Sequence, residues 1–338
     1  AFSGYAPELG ARNATGTFKD FEALPTLLYL REHEVDAVVL ASAGNTARAF
    51  AHAASLLDFA AYIVVPESAS ARLRIPARPS ESVRPIVVSG SNDYAAAIRL
   101  AAAVAEHSGM ASEGGARNVA RRDGMGTVVL EYARTQGRLP DHYVQAVGSG
   151  TGAIAAWEAA MRLVESGAVS GAPPRLHLAQ NAPFTPMHDA WTRGGGIEAP
   201  GDRALQLRRI GGLSAPTLAN RTPPFSVVGG VRDALAATSG RTYAVTNAEI
   251  AACQALFKRR VGAEIAPEGG AALAALAQGV ARGWIHRADA VLLHITGSSD
   301  ARLEQEAALR PVPVWRRVPA DLRGALRALA PDLERRRG

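Results

Sequence analysis

Two lysines are all that the chain possesses, Lys19 and Lys258. Chemistry that needs a primary amine must use one of them. Lys258 stands in Phe257-Lys258-Arg259-Arg260 at the end of a helical pattern. A solvated cation there complements the helix dipole, and that accounts for it. Lys19 stands in Gly16-Thr17-Phe18-Lys19-Asp20, between a glycine-containing loop and an apolar run. It is an unusual place for so rare a residue. Burial there would depress the amine's pKa toward the range in which it acts as a base.

Gly148-Ser149-Gly150-Thr151-Gly152 follows a strand pattern and opens a helix pattern. Glycines let a ligand approach the backbone, and a helix N-terminus presents N–H groups to an anion. Ser149 and Thr151 add hydroxyl donors. The segment has the design of a phosphate cradle, with a plain structural turn as the competing reading. No lysine follows the last glycine, so it is not a P-loop. Its spacing and the lack of a closing acidic residue set it apart from the dinucleotide fingerprint. Ser42-Ala43-Gly44-Asn45-Thr46 is a second strand-to-helix turn of the same kind. Ser42, Thr46 and free backbone N–H groups could hold a carboxylate. Asn45 could donate its amide to a phenolate oxygen or cap the helix, and the two roles are compatible.

Pro267-Glu268-Gly269-Gly270-Ala271 opens another helix, where Glu268 suits the dipole. Thr296 ends the apolar run Leu292-Leu293-His294-Ile295 at the strand edge where open α/β sheets bind ligands. Alternation aims His294 at the opposite face, so it is read as packing. The other histidines form no constellation, and metal catalysis has no support. Cys253 is the sole cysteine, which excludes a disulfide framework and a cysteine-rich zinc site.

These residues need a frame, and the sequence alternates strand and helix. Val35–Leu40, Ala61–Val65, Pro85–Val88, Tyr143–Val147, Leu176–Ala179, Thr242–Val245 and Ala290–Ile295 read as strands. Helices are expected after Asn45 to Leu57, from Asp93 to Glu106, over Thr127–Thr135 and Ala153–Glu165, from an Asn247 cap to Arg260, and over Ala271–Ala281. Continuous apolar strands with crossover helices predict parallel sheets covered on both faces. Residues 187–226, rich in Gly, Pro, Arg and Thr, read as irregular structure that covers a site. The arginine-rich tail after Asp300 reads as a mostly helical surface element with an unstructured end.

A chain of 338 residues fits two lobes, and 48% hydrophobic content fits a globular protein. No run of eighteen apolar residues predicts a membrane span, and the opening Ala1-Phe2-Ser3-Gly4-Tyr5 has no signal-peptide pattern. A cytosolic location is expected. The net charge of +6 is carried by scattered arginines, which argues against a nucleic-acid surface. Arginine suits small anionic substrates instead, with Arg48 and Arg117 as candidate partners.

In this order and spacing the pieces resemble the fold-type II pyridoxal-phosphate enzymes, over Thr15 to about Asp300. The resemblance is to the threonine synthase and cysteate synthase branch. Thr15-Gly16-Thr17-Phe18-Lys19, Glu22-Ala23-Leu24-Pro25-Thr26 and Ala41-Ser42-Ala43-Gly44-Asn45-Thr46-Ala47-Arg48-Ala49-Phe50 are nearest to cysteate synthase. Eighteen residues precede Lys19, where relatives carry a longer N-terminal segment.

The resemblance implies a tryptophan-synthase-β-like α/β fold, with two open, twisted, mostly parallel sheets and pyridoxal 5'-phosphate between the lobes. It implies a large cofactor domain, residues 1–31 plus 113–338, and a small mobile substrate-carboxylate domain, residues 32–112. Lys19 becomes the Schiff-base lysine and catalytic base. Asn45 meets the cofactor's 3′ oxygen, and Gly148, Ser149, Gly150, Thr151 and Gly152 hold its phosphate. Thr296 bonds the pyridine nitrogen; a neutral hydroxyl there suits elimination and replacement more than transamination. Ser42, Ala43, Gly44 and Thr46 take the substrate carboxylate. The expected reaction is β-replacement on O-phospho-L-serine by sulfite. Threonine synthesis from O-phosphohomoserine, another β-replacement or elimination, and a non-catalytic relative are the alternatives. A homodimer is expected by analogy.

Overall fold

The computed structural model describes the chain apart from Ala43, Asn92, Asp93, Pro200, Gly338 and the side chains of residues 335–337. Its main elements in chain order are α1 Asp20–Glu32, β1 Ala37–Ala41, α2 Asn45–Leu57, β2 Ala60–Pro66, β3 Val83–Val88, α3 Tyr94–Ser108 and β4 Ala111–Ser112. Then follow α4 Val119–Gln136, β5 His142–Ala146, α5 Thr151–Glu165, β6 Arg175–Asn181, α6 Pro186–Arg193, α7 Arg203–Gly211 and α8 Val231–Ala237. Last come β7 Arg241–Val245, α9 Asn247–Val261, α10 Pro267–Ala281, β8 Val291–Leu293, β9 Arg316–Val318 and α11 Leu322–Arg337.

The chain forms two compact units, residues 1–18 with 125–302 and residues 19–124 with 303–338. Residues 19–31, 113–124 and 303–338 thus group with 32–112, which the expected boundaries at 31/32 and 112/113 did not anticipate. Packing explains the difference. Ala23 and Leu27 of α1 are fully buried in the same core as Phe50 of α2 and Ile63 of β2. Val318 of β9 and Ala325, Leu329 and Leu333 of α11 complete the core on the other side of that sheet.

In residues 19–124 and 303–338 the sheet runs β9-β3-β2-β1-β4, with every pair parallel. Alternation along its strands decides which core each residue enters. Val38, Leu40, Ile63, Val65 and Val87 face α1 and α2. Val39, Tyr62, Val64, Ile86 and Val88 face α3 and α11. In residues 1–18 and 125–302 the sheet runs β7-β6-β5-β8, again all parallel. Val144, Ala179, Tyr243 and Val245 pack there with Ile250 of α9 and Ala271 and Ala275 of α10. Among the described residues, the two main sheets are parallel and helix-covered, as the continuous apolar strands predict.

Three expectations are corrected. Residues 187–226 hold α6, α7 and a 3-10 turn, Pro216–Leu218. Helix α7 buries none of its residues, so it has no apolar stripe to betray it, and Asp202 caps it by accepting the N–H groups of Ala204 and Leu205. Helix α4 starts at Val119, well before Thr127. Its glycines obscured that start. A Cβ at Gly124 would stand 1.9 Å from the Phe21 carbonyl oxygen, so close helix packing demands glycine there. The tail is no mere surface element, since it supplies β9 and α11, and α11 runs to Arg337. At finer scale, Thr246 rather than Asn247 caps α9, in a capping box with Glu249. The expected helix start at Asp93 lies outside the described residues.

Candidate active site

Lys19 is the residue just before α1, and the helix turns its face toward Glu22, three residues on. Lys19 Nζ donates to Glu22 Oε2 at 3.0 Å, with 18% of the lysine side chain exposed and none of the glutamate's. Glu22 gathers two more bonds. Arg121 Nη2 reaches Oε2 at 2.8 Å, and Thr46 donates its hydroxyl to Oε1 at 2.8 Å. Arg121 Nη1 also binds Glu113 Oε1 at 2.7 Å, and Glu113 Oε2 accepts the Gly115 N–H. Asn118 anchors this corner. Its Oδ1 accepts the Arg121 N–H, and its amide donates to the Glu113 carbonyl and the Thr26 hydroxyl.

Burial pushes the Lys19 amine below the ordinary lysine range, and the Glu22 carboxylate opposes that push. Burial also works against ionised Glu22, but Arg121, Lys19 and the Thr46 hydroxyl outweigh it and hold the carboxyl below its usual range. The result is an amine shifted toward its neutral form, beside a carboxyl shifted toward its charged form.

The turn after β1 is tied down by Ser42. Its Oγ accepts the N–H groups of Gly44 at 3.2 Å and Ala47 at 3.0 Å, bonds that order the start of α2. A hydroxyl that accepts two bonds keeps its own proton to donate. Gly44 is the N-cap and Asn45 the first helical residue, half-buried, so Asn45 is not the cap. Thr46 spends its hydroxyl on Glu22, a role the sequence did not suggest. Ala43 lies outside the described residues. Arg48 is buried on α2, whereas Arg117 is exposed.

In the other unit β5 and β8 are parallel neighbours, so their C-terminal ends share one sheet edge. Residues 148–152 leave β5 at that edge, and Thr296 follows β8 there. Gly150 caps α5 with φ +81°, a left-handed conformation that favours glycine, and it brings no side chain to the helix N-terminus. A Cβ on it would lie 2.1 Å from Val231 Cγ2. Ser149 and Thr151 pair their hydroxyls at 2.9 Å. Thr296 is buried and accepts the Phe18 N–H at 3.0 Å. A helix N-terminus whose cap residue is glycine, with adjoining hydroxyls, has donors of the kind that a phosphate monoester needs.

A neutral hydrogen-bonded chain supports that turn. Ser3 Oγ meets His294 Nε2 at 2.9 Å, His294 Nδ1 meets Tyr143 Oη at 2.7 Å, and Tyr143 donates to Gln145 Oε1 at 3.1 Å. The Gln145 amide packs directly beneath Gly152, where a Cβ would stand 2.7 Å from it. His294 is therefore structural, as alternation implies, and burial holds its pKa down to about 3. Glu268, read from sequence as a dipole partner, also accepts the Thr217 hydroxyl, and burial pushes its carboxyl up. Among the described residues no cluster of His, Cys, Asp and Glu has the makings of a metal site. Nor is any described helix long and apolar enough to cross a membrane.

The structure thus brings Lys19 and Thr46 onto one carboxylate, and separately the glycine turn and Thr296 onto one sheet edge. Sequence reasoning missed Glu22, Arg121 and Glu113. The available signal was the spacing of Lys19 and Glu22 by one helical turn.

A buried amine of lowered pKa, a seat for phosphate and a neutral hydroxyl at a strand end are what pyridoxal phosphate requires of a protein. Comparison with known proteins agrees. The chain is 48% identical over 309 residues to a cysteate synthase of Methanosarcina barkeri, covering 91% of this chain and 74% of that one. It is 47% identical over 321 residues to a cysteate synthase of Methanocella arvoryzae, covering 94% and 77%. The fold matches a pyridoxal 5'-phosphate-dependent aspartate racemase at TM-score 0.63 and 17% identity, over 84% of this chain and 81% of that one. A serine racemase from Dictyostelium discoideum matches at TM-score 0.63 and 19% identity, over 84% of each. The sequence model of the pyridoxal-phosphate dependent enzymes matches residues 9–297, and the chain belongs to that family.

Proposed function

We propose that this protein replaces the phosphate of O-phospho-L-serine with sulfite, giving L-cysteate and phosphate, with pyridoxal 5'-phosphate as cofactor. The observation that carries this reading is the 48% identity, over 91% of the chain, to a cysteate synthase. Lys19, with its lowered pKa and its place just before α1, supplies the amine that such chemistry needs.

When bound, the cofactor stabilises negative charge at the substrate's α-carbon. Lys19 carries the cofactor and, once released, removes the α-proton at Nζ and returns a proton there. Between those events the Cβ–O bond to phosphate breaks and a Cβ–S bond to sulfite forms. The backbone N–H groups at residues 148–152, with the Ser149 and Thr151 hydroxyls, seat the cofactor's phosphate. Thr296 would hold the pyridine nitrogen and Asn45 the 3′ oxygen. Ser42 and the N–H groups near Gly44 would take the substrate carboxylate, with Thr46 beside them; the expected part of Ala43 lies outside the described residues. Thr46 acts there through its backbone, since its hydroxyl serves Glu22. Arg121 faces two carboxylates and is not the ligand of a substrate anion. A cytosolic homodimer that binds neither membrane nor nucleic acid fits the reading.

Phosphate release measured from phosphoserine and from phosphohomoserine, with and without sulfite, tests it. Sulfite-dependent release from phosphoserine, with cysteate as product, is expected. Turnover of phosphohomoserine without sulfite would instead identify a threonine synthase. Lys19→Ala is expected to lower turnover by at least about 10³-fold and to remove the visible absorbance of the bound cofactor.

A further inference from the structure

We propose that Glu22 is the positioning residue for Lys19, a counter-ion that fixes Nζ and keeps the α-proton on it between removal and return. The proposal rests on the reading of Lys19 as the cofactor's lysine. Its basis is geometric. Glu22 is wholly buried, and its two oxygens bind Lys19 at 3.0 Å, Arg121 at 2.8 Å and Thr46 at 2.8 Å. Glu113 then balances Arg121 at 2.7 Å. Charges alternate in sign through the row Lys19, Glu22, Arg121, Glu113.

A neutral amine that takes a proton inside a protein becomes an ammonium ion, and a buried ammonium needs a counter-ion. Glu22 is that ion. A bare carboxylate so close would also compete for the proton. Arg121 and Thr46 prevent this by favouring the charged carboxylate, which leaves the proton on Nζ. In the step itself the Cα–H bond breaks and its proton passes to Nζ. After replacement at Cβ, Nζ gives a proton back to Cα. Glu22 neither gains nor loses one. The charged and titratable groups that face the pair are Arg121 of α4, Glu113 after β4 and Tyr94 of α3, whose hydroxyl burial pushes up. Thr46 of α2 is the neutral donor.

The scarcity of lysine makes a direct test available. In protein labelled with [ε-¹³C]lysine, Lys258→Arg leaves Lys19 as the sole resonance. Titration of the cofactor-free protein then reads its amine. Glu22→Gln in that background is expected to lower the midpoint by about one pH unit or more. In the loaded enzyme it should lower kcat about tenfold or more while KM for phosphoserine changes little. Glu22→Asp keeps the charge but draws it back, and should move the midpoint the same way by less. That variant decides the matter if the amide variant does not fold. An unchanged midpoint in a folded Glu22 variant overturns the proposal, because a merely structural glutamate would leave it unmoved. Adding pyridoxal phosphate to the parent must abolish the amine titration. If the titration persists, the assignment of Lys19 itself fails, whatever Glu22 does.

Discussion

The two units bury polar side chains in opposite ways. Around Lys19 the network is ionic, with Glu22, Arg121 and Glu113 charged and compensated. Beneath the glycine turn it is neutral, running Ser3, His294, Tyr143, Gln145. A second chain in the same unit joins Tyr243, His177 and His142 at 2.5 and 2.9 Å and ends on the Asp289 carboxylate at 3.0 Å. On the proposed function, the difference follows from the work of each segment. An amine that exchanges protons needs a fixed charge beside it. A seat for an anion needs rigid dipoles, and buried carboxylates there would repel the ligand.

The contrast is sharpest where one partner is removed. Arg121→Met leaves Glu113 buried without its counter-charge and Glu22 with Lys19 alone, and should cost about 3–5 kcal/mol in urea unfolding. A cost near that of a neutral hydrogen bond would erase the distinction between the networks. Gly150→Ala should cost about 2–4 kcal/mol, because it combines a left-handed backbone with a clash against Val231. It should also weaken pyridoxal phosphate binding, measurable by fluorescence titration.

Acid separates the networks next. Burial holds His294 and His177 down to about 3, from an ordinary value of 6.5. Between those values the unfolded chain binds more protons than the folded one, so stability falls as pH drops through that window. The loss is about 1.4 kcal/mol per pH unit for each imidazole. His294→Gln should remove one imidazole's share of that slope in unfolding curves taken from pH 7 to pH 4. An unchanged slope would mean that His294 is not held neutral. Tyr143→Phe is the mildest test. It takes one hydroxyl from the neutral chain and should cost about 1–2 kcal/mol.

Much of this was legible in the sequence, for physical reasons. Strands buried on both faces are apolar throughout, so β1 and β2 announced themselves. Lys19 stood out because lysine is so rare, and residues 148–152 because glycines cluster there. The ionic row was not legible, because Arg121 reaches Glu22, and Glu113 reaches Arg121, only through the folding of α4 and the segment after β4. Helix α7 escaped because it buries nothing. The start of α4 escaped because Gly124 and Gly126 serve packing against Phe21 and Ala159, not flexibility. The tail's role escaped because β9 is three residues long and two of them are arginine.

That short strand has a consequence for biosynthesis. The outermost position beside β3 is filled by Arg316–Val318, which leaves the ribosome only after residues 125–302 have been made. Throughout that interval the nascent chain carries Val83–Val88 as an open, apolar sheet edge, the kind of surface that recruits chaperones or sticks to neighbouring chains.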